Sequence, residues 1–190
     1  MVNDPIKYLI KWMDFMVIEE RKEHILSVRD FALTLAHLYG VEPRRVEVAA
    51  LAHDLFRDVS PEILLRIAGL WGVEITGIER RHPVLLHGKV AAEFLRWRFC
   101  YDDKEVLNAV AYHTSGHPEF EEIGKILIVS DTVSYDRNFP DVEELRKIAF
   151  RNLETAYREV LKNRITYALE SGKFLLEMSV RAWNKVVERR

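Results

Sequence analysis

The sequence predicts an all-α fold on three observations. Apolar residues recur with a period near 3.6 in nearly every segment, no stretch sustains the alternation of a half-buried strand, and Pro, Gly and cap residues fall where helices would start and stop. The elements follow in order. Asp4 can cap a first helix with Pro5 at its first position, and Ile6, Leu9, Ile10, Met13 and Val17 form its apolar stripe. A second helix is expected over Glu19–Tyr39, where Phe31, Leu35 and Leu38 share a face and Gly40 supplies the stop. Pro43 opens a third, through Val46, Ala49 and Ala50 to His53. Ser60-Pro61 starts a short helix that ends near Gly72. A turn of helix over Thr76 to Glu79 leads to Pro83, and a helix spans Leu86 to Phe99. Asp102 and Glu105 have capping-box spacing ahead of Val106, Val110 and His113, after which residues 114–118 read as a loop. A helix over Phe120 to Tyr135 and a loop over 136–140 come next. Asp141, with Glu144 three residues on, then caps long helical text to Gly172. The last helix carries Leu175 to Val187, and the basic run from Lys185 to Arg190 suits the negative end of its dipole.

Composition narrows the partners. The chain has 190 residues, 28 Lys+Arg against 30 Asp+Glu and a formal charge of −2, so it has no bulk attraction for nucleic acid or an anionic membrane. An anionic ligand must be held locally. The single Cys100 excludes an internal disulfide framework and leaves no CxxC zinc motif. No apolar run approaches the ~18 residues of a membrane span, and the opening Met-Val-Asn-Asp-Pro lacks the pattern of a secretory leader. A cytoplasmic protein is expected.

Histidine is over-represented, with seven residues. His24, the adjacent pair His53-Asp54, His87, His113 and Asp131 fall on five of the expected helices, most of them on the apolar face. His53 follows Ala49 and Ala50, His87 precedes Val90 and Ala91, His113 follows Ala109 and Val110, and Asp131 follows Leu127 and Ile128. One such residue is unremarkable as a hydrogen-bonded core group. Six ionisable groups on apolar faces are costly unless they pair or bind a metal. Imidazole plus carboxylate without thiolate suits iron, manganese, zinc, cobalt or nickel.

The ordered segments Arg21-Lys22-Glu23-His24, Leu51-Ala52-His53-Asp54-Leu55-Phe56-Arg57-Asp58, Leu85-Leu86-His87-Gly88, Tyr112-His113-Thr114-Ser115-Gly116 and Asp131…Arg137-Asn138-Phe139-Pro140 resemble the HD-domain metallophosphohydrolase superfamily, and within it the YqeK family of symmetrical bis(5'-nucleosyl)-tetraphosphatases. The likeness runs from about Arg21 to Lys173. The chain departs from the family pattern with Arg57 in place of Lys, His117 in place of Arg, Ile25 after the first histidine, and no Ile-Glu-Pro after Asp131.

The resemblance implies an α-helical HD fold in a single domain, with residues 1–18 as an N-terminal helix packed on it, 19–173 as the metal-dependent core and 174–190 as a C-terminal helix. It implies hydrolysis of diadenosine tetraphosphate to two ADP by metal-activated water. The alternatives are a broader nucleotide phosphatase or phosphodiesterase, or a nucleotide-binding regulator with weak turnover. His24, His53, Asp54 and Asp131 would hold a first metal. His87 and His113 would complete a second site bridged by Asp54, or contact phosphate. Iron is the first choice, with manganese, cobalt or nickel as the others. Arg57 is expected as an electrostatic clamp, and Asp58 or a metal-bound water as the proton carrier. Arg21, Arg137, Thr114, Gly116 and His117 are expected at the substrate. The partner is a small nucleotide, with neither nucleic acid nor membrane, and the chain could form a homodimer.

Overall fold

Asp4 accepts a hydrogen bond from the Ile6 N–H at 3.1 Å and Pro5 takes the first helical position, so α1 (Pro5–Met16) starts where its sequence places it. It buries Leu9 and Met13, while Ile10 is partly exposed. The structure is a computed structural model that describes residues 4–188. The opening Met1 to Asn3 and the closing Arg189 and Arg190 of the basic run lie outside the described residues.

The other helices are α2 (Glu19–Tyr39), α3 (Pro43–Ala52), α4 (Pro61–Leu70), α5 (Gly77–Arg81), α6 (His87–Phe99), α7 (Lys104–Tyr112), α8 (Glu122–Val133), α9 (Val142–Arg151), α10 (Leu153–Glu170) and α11 (Glu177–Glu188). A 3-10 turn over Pro83–Leu86 precedes α6, and the described residues contain no strand. No described helix is long and apolar enough to cross a membrane.

The centre of the fold is a packed group of α2, α3, α7 and α8, with α6 against α7, α10 across α8 and α9, α1 on α3 and α11 on α10. In α2 the inward face is His24, Ile25, Val28, Phe31, Ala32, Leu35 and Ala36, whereas Leu38 is 52% exposed and does not belong to it. The helix stops at Gly40, which takes the left-handed φ of 68° that closes a C-cap without a Cβ penalty. Thr76 and Glu79 form a capping box on α5, as their spacing predicts.

Three expectations are corrected. The cap of α7 is Asp103 and not Asp102: its carboxylate accepts from the Glu105 and Val106 N–H groups, and also receives Arg45 at 2.7 and 2.9 Å. Asp141 precedes α9 but sits at φ 69° with no side-chain cap bond, and Glu144 pairs instead with Lys147. The long helix to Gly172 is two helices broken at Asn152, whose side chain accepts from the Thr155 N–H at 2.8 Å and caps α10. Asn152→Ala is expected to lower stability by about 1 kcal/mol, measured as a shift in the urea midpoint at constant slope.

Candidate active site

Helix ends deliver most of the candidate residues. His53 and His113 stand at the C-caps of α3 and α7, His87 opens α6, and Asp54 follows His53 in a turn. His24 and Asp131 come from within α2 and α8. Four helices packed side by side and one abutting helix therefore bring six side chains to one place. His24, His53, Asp54, His87 and His113 are all buried there, and Asp131 is nearly so.

The histidines are oriented by a repeated device. Nδ1 of His53 donates to Ala50 O at 2.7 Å, that of His87 to Val84 O at 2.5 Å, and that of His113 to Val110 O at 2.8 Å, each three residues back. A carbonyl only accepts, so the proton is fixed on Nδ1 and the Nε2 lone pair is turned inward. His24 achieves the same with Asp136, whose Oδ2 lies 2.8 Å from its Nδ1. Asp136 is held in turn by the Ser134 hydroxyl at 2.6 Å and by its own N–H on Ser27 Oγ. Carbonyl or carboxylate behind an imidazole is the usual support of a metal-ligating histidine.

The inward atoms crowd one another. His87 Nε2 lies 3.1 Å from His113 Nε2, and Asp54 Oδ1 lies 3.1 and 3.4 Å from these two nitrogens. His24 Nε2 is 3.1 Å from Asp131 Oδ1. His53 Nε2 is fully buried without a hydrogen-bond partner, 4.0 Å from both Asp54 Oδ2 and Asp131 Oδ1. Lone pairs facing one another at such distances repel unless a cation lies among them, so the donor set fits a metal. Two groups of three have ligand atoms mutually within 4.8 Å, His24 with His53 and Asp131, and His53 with Asp54 and His113.

The charge states of His53 and His87 agree with this. Burial pushes His53 down to about 4 and also lowers His87, keeping both imidazoles neutral near pH 7. In His24 burial is outweighed by the hydrogen bond and charge of Asp131, and its value is raised. Burial opposes ionisation of Asp54 and Asp131 as well. It is overcome by the histidines around Asp54, and by His24 and Arg164 around Asp131, so both carboxyls lie well below their ordinary range.

Cations frame the cluster. Arg21 donates to Asp54 Oδ2 at 2.9 Å, Arg137 to Asp131 Oδ1 at 3.0 Å, and Arg164 to Asp131 Oδ2 at 2.7 Å. The half-buried Arg57 guanidinium has no hydrogen-bond or ion-pair partner among the described residues. Asp58 accepts from the Ile18 N–H at 3.2 Å and lies 3.7 Å from Arg21 Nε, close enough for charge attraction but not for a hydrogen bond.

Thr114 lines a groove of about 500 Å³ that also takes in Leu85, Tyr112, Arg81, Lys89 and Leu176. Gly116 is a turn residue at φ 77° pressed against Leu161, Tyr157 and Ala182. His117 accepts from the Glu119 N–H and lines a different cavity with Phe120 and Lys125, and none of the six cluster residues lines either space. His37 bonds Leu33 O on the surface, and His82 packs on Phe174 with ring centres 4.7 Å apart.

Two residues of the centre escape the sequence reading. Asp136 stands in a segment read as a loop. Arg164 follows Val160 and Leu161 at i+4 and i+3 on the buried face of α10, the same signal that picks out the histidines.

An HD-domain family model matches residues 21–149. A symmetrical bis(5'-nucleosyl)-tetraphosphatase of Halalkalibacterium halodurans is 31% identical, with 89% of this chain and 90% of the relative covered. One of the same description from Bacillus subtilis is 28% identical, over 82% of this chain and 83% of the relative. The crystal structure of a predicted HD superfamily hydrolase involved in NAD metabolism from Clostridium acetobutylicum superimposes with a TM-score of 0.91 at 29% identity, covering 97% of each chain.

Proposed function

Because the chain belongs to the HD-domain family, we propose that it hydrolyses diadenosine tetraphosphate symmetrically to two ADP at a metal centre of His24, His53, Asp54, His87, His113 and Asp131. The observation that carries this reading is the convergence of four inward Nε2 lone pairs on two ionised carboxylates. Nitrogen and oxygen donors without thiolate favour iron, manganese, cobalt or nickel, with iron as our first choice. His53 belongs to both groups of three, which supports one ion or two.

When bound, the cation supplies Lewis-acid polarisation of phosphoryl oxygens and a water acidic enough to act as nucleophile near neutral pH. The protein's own groups do the positioning. Arg57 offers a guanidinium without a partner among the described residues, three residues after Asp54, for bidentate contact with a phosphate. Arg21 and Arg137 keep 27% and 39% of their side-chain surface and can exchange a carboxylate oxygen for a phosphate oxygen as charge builds on the reacting group. The departing ADP is an anhydride leaving group and needs no strong acid behind it, so Asp58 acts through its charge beside Arg21. Thr114, the residue after His113, lines the 500 Å³ groove, and that groove has room for a nucleoside.

Elemental analysis of fresh protein followed by chromatography of the products tests the proposal. A transition metal and two ADP per diadenosine tetraphosphate are expected. Inorganic phosphate released from mononucleotides would point to a general phosphatase. Tight ADP binding without turnover under iron, manganese or cobalt would point to a regulator.

A further inference from the structure

We infer that Arg164, on a helix beyond the matched HD segment, is a positioning residue that locks the two halves of the metal centre into one geometry. The inference rests on the metal reading above. The family model ends at residue 149, whereas Arg164 lies in the middle of α10.

Its guanidinium is used almost to capacity. Nη2 donates to Asp131 Oδ2 at 2.7 Å and to Thr132 Oγ1 at 2.8 Å, and Nε reaches the same hydroxyl at 3.1 Å. Nη1 donates to His113 O at 2.6 Å and to Thr114 O at 3.2 Å. The planar fork therefore ties a carboxylate of α8 to the backbone at the end of α7.

These two anchors belong to different ligand groups. Asp131 sits with His24 and His53, and His113 sits with His53 and Asp54. His53 belongs to both groups, and Arg164 fixes their separation by tying Asp131 to the backbone at His113. By taking Oδ2 of Asp131 it also leaves Oδ1 as the oxygen that faces His24 and His53. Because Thr114 lines the groove, the same guanidinium sets the wall of the nucleoside space relative to the metal ligands. Lysine has the charge but not the fork and cannot make both ties at once.

The test compares Arg164→Gln and Arg164→Lys with the parent protein in cobalt(II) titrations followed by the visible ligand-field bands. Circular dichroism of the metal-free proteins checks the fold. Both variants are expected to weaken cobalt binding by roughly 10- to 100-fold, the range for supports behind metal ligands, and to move the bands. A merely structural role would leave the bands of the folded variant in place. Arg164→Gln with parental affinity and spectrum overturns the inference. Should that variant not fold, Arg164→Lys decides alone, and parental behaviour there overturns it equally. A parent protein that takes up no cobalt overturns instead the metal reading beneath it.

Discussion

Asp54→Ala is expected to abolish metal uptake and turnover of diadenosine tetraphosphate together, the rate falling by on the order of 10³-fold or more, about 4 kcal/mol of barrier. Asp54 is the carboxylate that meets three of the four histidines and one of the arginines. One oxygen lies within 3.4 Å of the His87 and His113 nitrogens, and the other receives Arg21 and lies 4.0 Å from His53. Without it Asp131 is the one carboxylate left among the six proposed ligands, and a divalent cation meets too little negative charge. Asp54→Asn keeps the shape and removes the charge, so it is expected to fail in the same way. Removing one partner of a buried pair is itself destabilising, so circular dichroism of both variants checks that they remain folded. Metal content by elemental analysis and ADP formation by chromatography are the readouts. An alanine variant with parental metal content and full activity would remove Asp54 from the centre.

The contrast between Asp54 and Arg164 shows how far the sequence could be read. A His-Asp pair, with four further ligand-type residues at apolar positions of other helices, states its chemistry in residue types, and the packing of α2, α3, α7 and α8 had only to bring the groups together. Arg164 carries the same positional signal. Arginine is common on helices, however, and its partners are mainly backbone carbonyls, which no sequence pattern marks. Asp136 was hidden for another reason: its pairing with His24 spans 112 residues and depends on how α8 ends. The break at Asn152 was invisible to periodicity because the apolar phase runs straight through it. Leu145, Ala149, Leu153, Ala156 and Val160 are all buried at steps of three or four, so only the cap geometry separates α9 from α10. His117 was named from a family position alone, and its ring lies between Tyr112 and Phe120.

Gly88→Ala should cost both stability and metal binding, and the size of the effect comes from three distances. A Cβ on Gly88 would lie 2.7 Å from Val110 O, 3.0 Å from Ala111 O and 3.1 Å from His113 Cε1. Two of these neighbours are backbone, which cannot rotate away, so α6 and α7 must separate. Helix propensity argues for the opposite sign, because alanine is better than glycine inside a helix by about 1 kcal/mol. Overpacking against main chain costs about 1–3 kcal/mol or more and should win, lowering the melting temperature by roughly 3–8 °C for a domain of this size. Gly69 in α4 is the control, since a Cβ there meets nothing within 4 Å and its alanine variant should hold or gain stability. The functional loss follows from which atoms are struck. Val110 O is the acceptor that fixes the His113 tautomer, and Gly88 is the residue after His87. Forcing the helices apart therefore loosens both imidazoles, and metal affinity should fall by tenfold or more in protein that is still folded. Equal melting temperatures and equal metal affinity for Gly88→Ala and Gly69→Ala would show that the close approach of α6 and α7 does not set the geometry of His87 and His113.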